Sequence, residues 1–341
     1  MNLKDFSRIE LRELAEELGD KSYRGDQLFE WMYKKEITSI EEAKNLSKSF
    51  IDKLSDYLPI MTLEQNNVLK SNQDETTKFL FETCDNNLIE TVLMKYKYGN
   101  TICISSQAGC RMGCKFCASA IGGLSRNLTP GEMIDQYLLA KKYLGENIGH
   151  VVIMGTGEPF DNLTNVMKFI EIITDDKGIG ISKRAITVST CGLIPEMRKF
   201  YERFPQINIA ISLHSANDSV RSELMPINNK YNIKDLIAEA RHYTEKTGRR
   251  ITFEYALIEG VNDGVENIHA LASLVRGINC HINIIPLNPV EEVGMKSVSQ
   301  KAATDAAALL EGKGVTSTVR RELGTDIESA CGQLRLKQNR R

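Results

Sequence analysis

Three cysteines crowd into eight positions of the chain: Cys110, Cys114 and Cys117, in GCRMGCKFC. Thiolates are soft ligands that suit zinc or iron–sulfur centres. A structural zinc site takes four protein ligands, usually as paired CxxC elements. No second Cys/His pair of that kind is present, and the histidines His150, His214, His242, His269 and His281 are isolated in sequence. Three thiolates leave a [4Fe–4S] cluster with one iron lacking a protein ligand, an open position that is useful only if another molecule binds it. The remaining cysteines, Cys84, Cys103, Cys191, Cys280 and Cys331, stand alone. A lone cysteine is ordinarily a small buried hydrophobe, and for Cys84, Cys191 and Cys280 no motif argues otherwise. Glu90 is a carboxylate inside the apolar run LIETVLM (88–94). Strand alternation puts it opposite Ile89, Thr91 and Leu93, a solvent-facing position on the simplest view. Its own face, however, also carries Leu88, Val92 and Met94. Partial desolvation there would push its pKa upward and suit it to act as a general base.

These residues need elements to position them. From residue 101, apolar strand-like runs alternate with amphipathic stretches. The runs are 102–106, 150–155, 185–190, 207–214, 251–258 and 281–288; the helical stretches lie near 130–144, 163–173, 232–247, 264–276 and 298–311. Thr129-Pro130-Gly131-Glu132 is a capping box with proline at the first helical position. Repeated strand–helix units predict a mostly parallel sheet with right-handed crossovers. Six such units make either an incomplete (β/α) barrel or an open doubly wound sheet, and periodicity alone does not separate the two. The cysteine loop directly follows the first strand, at the strand end where barrel enzymes build their sites. GTGEP (155–159) ends the second strand, Ser189 the third, Ser212-Leu213-His214 the fourth and Asn288 the sixth. Residues 1 to about 58 read as helices, with Leu11, Leu14, Ala15 and Leu18 at helical spacing. About 61–100 reads as strands, with Phe79 and Phe81 alternating with polar residues and Asp85-Asn86-Asn87 as a turn.

The CxxxCxxC spacing after the first strand resembles the radical S-adenosylmethionine (SAM) superfamily. CISSQAGC (103–110), CKFCASA (114–120), SRNLTPGEM (125–133), SLHSANDSVRSELMPIN (212–228) and ACGQL (330–334) together resemble the RlmN/Cfr family of RNA adenine methyltransferases, over nearly the whole chain. The family more often has Met where Thr156 stands.

The resemblance implies an α/β fold: a partial (β/α)6 barrel over 101–313, an N-terminal helical domain over 1–60, a β-rich connector over 61–100 carrying Glu90, and a C-terminal strand and loop over 314–341 carrying Cys331. It implies one [4Fe–4S] cluster on Cys110, Cys114 and Cys117. It also implies SAM contacts from Gly157, Glu158, Ser189, Ser212, Leu213, His214 and Asn288. Two SAM molecules would serve each turnover. The first methylates Cys331. The second is cleaved reductively to a 5′-deoxyadenosyl radical that takes a hydrogen from the S-methyl group, and the methylene radical adds to adenine. Glu90 then takes the base proton, and Cys103 attacks Cys331 to release methylated RNA and leave a disulfide. Thiol exchange of that kind is reversible in a reducing compartment. The implied substrates are 23S rRNA in the peptidyl-transferase centre and the tRNA adenine 3′ of the anticodon, with a flavodoxin-like or ferredoxin-like electron donor. The C8-methylating branch tends to have Ala where Pro159 stands, which favours C2.

Composition is compatible with this. The 341 residues carry a net charge of -2 and 26% charged side chains, ordinary for a globular chain and without the overall basicity common among nucleic-acid binders. Charge is uneven: +3 over 101–130, +4 over 313–341 and -3 over the first 60 residues. Lys115, Arg126 and the basic C-terminus are candidate phosphate contacts. Trp31 with Phe29 could stack on a base, although a place in a helix core is the simpler reading. No apolar run approaches the roughly 18 residues of a membrane span and the first ten residues are charged from Lys4 onward, so the expected compartment is the cytoplasm, with no membrane partner. A radical-SAM enzyme acting on protein or small molecules would need the cluster but not Cys331. A zinc-stabilised RNA-binding module would need a fourth ligand.

Overall fold

The computed structural model describes residues 2–60, 63–288, 290, 292–329 and 333. Three helices open the chain: α1 (Arg8–Glu17), α2 (Tyr23–Tyr33) and α3 (Lys48–Tyr57). Ser7 and Ser47 cap α1 and α3 by accepting from the backbone N–H three residues on. An antiparallel meander follows, β1 (Leu63–Lys70), β2 (Thr77–Thr83) and β3 (Leu88–Tyr96), leading into β4 (Gly99–Ile104). Two short strands, β5 (Gln107–Gly109) and β6 (Leu124–Asn127), pair with each other as a separate ladder.

The remaining elements are α4 (Pro130–Leu144), β7 (His150–Ile153), α5 (Leu163–Ile173), β8 (Ile186–Thr190), α6 (Ile194–Arg203), β9 (Asn208–Ser212), α7 (Asp218–Leu224), α8 (Ile233–Thr247), β10 (Ile251–Leu257), α9 (Val265–Leu274), β11 (Cys280–Pro286), α10 (Gln300–Gly312) and β12 (Ser317–Val319). Strands β4, β7, β8, β9, β10 and β11 are parallel neighbours in that order, with β12 parallel at one edge and the β1–β3 meander at the other. Among the described residues the sheet does not close: β1 and β12 end the series. The six-unit partial barrel expected from the sequence is the architecture found. The capping box at Thr129 is present, with Pro130 leading α4.

Two elements escaped the sequence reading. Helix α6 carries Met197, Phe200 and Tyr201 inward at helical spacing, but lies in a connector short enough to read as a loop. The β5–β6 ladder is too short for a hydrophobic pattern. One hydrophobic core runs without a break from Leu3 and Phe29 through the barrel to Leu310. Lys4 forms a buried ion pair with Asp135 of α4, and the Asp5 carboxylate accepts from Gly131 N at 2.9 Å. Both contacts sit on the first turns of α4, where unpaired N–H groups favour a carboxylate.

Candidate functional site

The cysteine loop, 110–123, leaves the sheet between β5 and β6, whose pairing joins Gln107 to Asn127 and Gly109 to Leu124. The closure depends on glycine. Gly109 has φ +79°, and a Cβ there would stand 2.0 Å from the Gly123 carbonyl oxygen. Cys110, Cys114 and Cys117 all line one open cavity. Burial pushes the Cys110 thiol up to about 12 and holds that of Cys114 well above its ordinary value, each reinforced by neighbouring thiols. Among the described residues, no three His, Cys, Asp or Glu side chains are grouped tightly enough to hold a single metal ion. A lone zinc would need its sulfurs about 2.3 Å away on every side. Three thiols lining one cavity could hold an iron–sulfur cluster, which would leave one iron without a protein ligand.

Gly157, Glu158, Ser189, Ser212, His214 and Asn288 line the same cavity, brought together by the C-terminal ends of β7, β8, β9 and β11. Gly157 is required where it stands: at φ +109° its Cβ would meet Gln107 Cβ at 2.6 Å. The Glu158 carboxylate accepts from Phe160 N (3.0 Å) and Cys191 N (2.7 Å). Burial raises its pKa against the opposing effect of those N–H donors. It therefore ties the 155–159 loop to the end of β8. His214 has φ +56°, and its Nδ1 accepts from Ala256 N at 2.9 Å. Burial, helped by Arg221, pulls its pKa down to about 3. The ring is thus neutral with its proton on Nε2, and it packs edge-on against Phe116 of the cysteine loop at 4.7 Å.

Leu213 is available to the cavity only through its backbone. Its side chain is fully buried in the main hydrophobic core. Successive side chains of an extended segment point to opposite sides, so Ser212 and His214 reach the cavity and Leu213 between them does not.

Cavity residues that the sequence reading passed over include Cys191 and Glu254. Glu254, on β10, accepts from Asn283 Nδ2 at 2.8 Å. Burial raises its pKa, opposed by Arg320. Arg221 is fully buried behind the cavity and donates to the carbonyls of Cys191, Ser212 and Leu213, pinning two loop ends. Thr156 holds its loop through backbone contacts: its N donates to Ser105 Oγ (2.9 Å), and its carbonyl accepts from Ser106 N and Gln107 N.

A second cavity adjoins the first. It is lined by Val92, Met94 and Cys103 and shares Ile285, Asn288 and Arg320 with its neighbour. Leu323 packs with Val92, Met94 and Cys103, so the segment after β12 crosses this face. Glu90 lies in β3 beside Leu80 of β2, and Val92 lies beside Cys103 of β4, so Glu90 and Cys103 share one face of the sheet. Glu90 is 1% exposed, which removes the solvent-facing alternative. Lys78 Nζ sits 3.1 Å from its Oε1, a cationic partner absent from the sequence reading. The C-terminal segment is clasped by the β1–β2 turn. Asp326 accepts from Ser71 Oγ and Asn72 N, both at 2.8 Å, and Gly324 N donates to Asp74 at 2.9 Å. Cys331 lies outside the described residues, as do 334–341.

Arg126 differs from its expected role. It donates to both Asp85 and Glu132 at 2.6–2.8 Å, bracing the β2–β3 turn against α4 rather than standing available for phosphate. Phe29 is fully buried and Trp31 packs against the same core while donating to Asn45. No helix among the described residues is long and apolar enough to cross a membrane.

Residues 104–272 match the radical SAM superfamily, and residues 1–60 match the ribosomal RNA large subunit methyltransferase N-terminal domain. A Clostridium perfringens protein described as a "probable dual-specificity RNA methyltransferase RlmN" is 49% identical over 98% of this chain and 96% of its own length. A Lachnospira eligens protein of the same description is 46% identical over the same shares. The crystal structure of a radical SAM methyltransferase from Sphaerobacter thermophilus superposes with a TM-score of 0.92 at 41% identity, covering 98% of this chain and 99% of that one.

Proposed function

Because the chain belongs to the RlmN family of radical SAM RNA methyltransferases, we propose that it methylates C2 of adenine in 23S rRNA and in tRNA, in the cytoplasm, through a methyl group carried on Cys331. The family implies SAM and an iron–sulfur cluster. Our reading takes one [4Fe–4S] cluster on Cys110, Cys114 and Cys117, two SAM molecules per turnover and a flavodoxin-like or ferredoxin-like electron donor. The cluster and SAM, when bound, supply a carbon radical able to take a hydrogen atom, which an electron-poor ring carbon needs because it is no nucleophile for ordinary methyl transfer.

The protein's part is placement and proton transfer. Gly157, Glu158, Ser189, Ser212, His214 and Asn288 surround the ligand in the first cavity. His214, neutral with a fixed tautomer, offers a constant N–H donor. Cys331 carries the methyl group, Glu90 takes the proton from the ring carbon, and Cys103 attacks the carrier sulfur to release the product. The observation that carries this reading is the second cavity. Cys103 opens onto a space that shares Asn288 and Arg320 with the cysteine-lined cavity, on the sheet face that also bears Glu90. An enzyme that only generated a radical would have no use for a buried thiol and carboxylate there.

The test is direct. The anaerobically purified protein is digested and the Cys331 peptide weighed, and RNA treated with the cluster-loaded protein is analysed as nucleosides. One added methyl on Cys331 and 2-methyladenosine in the RNA are expected. An unmodified thiol after cluster reconstitution and SAM addition removes the carrier, and 8-methyladenosine without 2-methyladenosine overturns C2.

A further inference from the structure

Lys78 is a buried cation that the reaction outlined above leaves without a task. It lies on β2, opposite Val92 of β3, and so on the face shared by Glu90 and Cys103. Its side chain is 4% exposed and that of Glu90 2%. Lysine is almost never buried this fully without a partner, and here the ammonium has two. It lies 3.1 Å from Glu90 Oε1 and donates to the Glu328 carbonyl at 3.1 Å. Glu328 stands three residues before Cys331. One ammonium therefore touches both the carboxylate and the segment that leads to the carrier cysteine.

We propose that Lys78 is a positioning residue for the proton-abstraction step: it holds the Glu90 carboxylate in place and fixes it against the segment that leads to Cys331. The inference rests on the reading of Glu90 as the base. In the step itself the ring C2–H bond breaks with its electron pair staying on the RNA adduct, and the proton passes to Glu90. Lys78 keeps its own proton throughout. The pair changes from neutral to singly positive, and the Glu328 carbonyl remains as acceptor for the ammonium until Glu90 returns its proton to solvent. An ammonium at this distance orients the carboxylate. The other titratable groups on the elements packed around Glu90 are Glu82 on β2, Cys103 on β4, and Asp326 and Glu328 in the C-terminal segment. Asn66 donates to Glu82 at 3.0 Å, and Ser71 and Asn72 donate to Asp326.

The experiment follows decay of the covalent protein–RNA adduct against pH in cluster-loaded protein, for wild type, Glu90→Gln, Lys78→Met, Lys78→Gln and Lys78→Arg. Glu90→Gln should accumulate adduct at every pH. Lys78→Met should slow decay at least tenfold, because the Glu90 carboxylate loses the contact that orients it. Lys78→Arg should restore most of the rate. Lys78→Gln keeps a donor without the charge or the reach, so it should also be slow and serves if the Met variant does not fold. Hydrogen exchange of the 320–329 peptide should quicken in Lys78→Met and stay near wild type in Lys78→Arg. If Glu90→Gln accumulates adduct while the neutral Lys78 variants keep the wild-type decay rate, the inference about Lys78 is overturned and the base stands. If Glu90→Gln accumulates none, the base reading falls and takes the inference with it.

Discussion

The two cavities are walled in different ways. The first is walled by the C-terminal ends of parallel strands and by a loop closed at its base. Its polar groups are mostly locked by backbone donors: Glu158 by Phe160 and Cys191, His214 by Ala256. The second is roofed by a segment that reaches the sheet from the far end of the chain, held by side-chain contacts to the β1–β2 turn and to β2: Asp326 to Ser71, Lys78 to Glu328. Backbone donors at strand ends are fixed with the fold. Side-chain clasps on a surface segment open at much lower cost, as local unfolding energies across a protein would have it. The first cavity thus has the build of a rigid holder. The second has the build of a site whose roof can open, which is what the proposed carrier thiol, meeting first SAM and then a resolving thiol, would need.

The largest effect that separates the two should come from Cys114→Ala. It removes a proposed cluster ligand, so iron content and SAM cleavage should fall to background; retained cleavage would take Cys114 out of the ligand set. Cys103→Ala should leave the first cavity intact. SAM cleavage should continue while product release drops at least a hundredfold and a protein–RNA adduct accumulates on denaturing gels. Normal turnover would show that the second cavity needs no thiol on β4.

A pH prediction sharpens the rigidity of the first cavity. The folded-state pKa of His214 is about 3, below its ordinary 6.5, so the unfolded chain binds the extra proton first as pH falls. The stability contribution is complete above about pH 6.5 and declines below it, by up to about 1.4 kcal/mol per pH unit. Urea titrations at pH 7, 6 and 5 should show that slope, and His214→Gln should flatten it. The smallest effect should come from Asp326→Asn, which weakens the clasp of the second cavity by roughly 1 kcal/mol. Hydrogen exchange at 320–329 should quicken severalfold with no change in SAM binding; an unchanged exchange rate would mean that other contacts hold the segment.

Much of the first cavity was legible in the sequence, because parallel strands buried on both faces announce themselves as apolar runs, and loop residues at their C-terminal ends follow in order. Leu213, between Ser212 and His214, turns its side chain into the core, because adjacency in sequence is not adjacency on a face. The second cavity was harder to read. In TKFLFET, Phe79 and Phe81 suggested one buried face and one wet one, yet Lys78 on the other face is buried as well, covered by a segment some 250 residues away. No local pattern encodes a cover of that kind, so Lys78 passed unnoticed and Glu90 remained ambiguous. Arg126 looked like a free cation for the related reason that Asp85, its partner, is 41 residues distant.

The β5–β6 ladder also bears on how the protein comes to hold its inorganic group. It ties off a 14-residue loop, 110–123, whose closure from a flexible chain would cost about 2 kcal/mol in entropy. That cost is met by strand pairing and two tightly apposed glycines, Gly109 and Gly123. The entropy of the loop is thus lost at its base, so a substitution of Gly109 would loosen all three thiols together rather than one at a time.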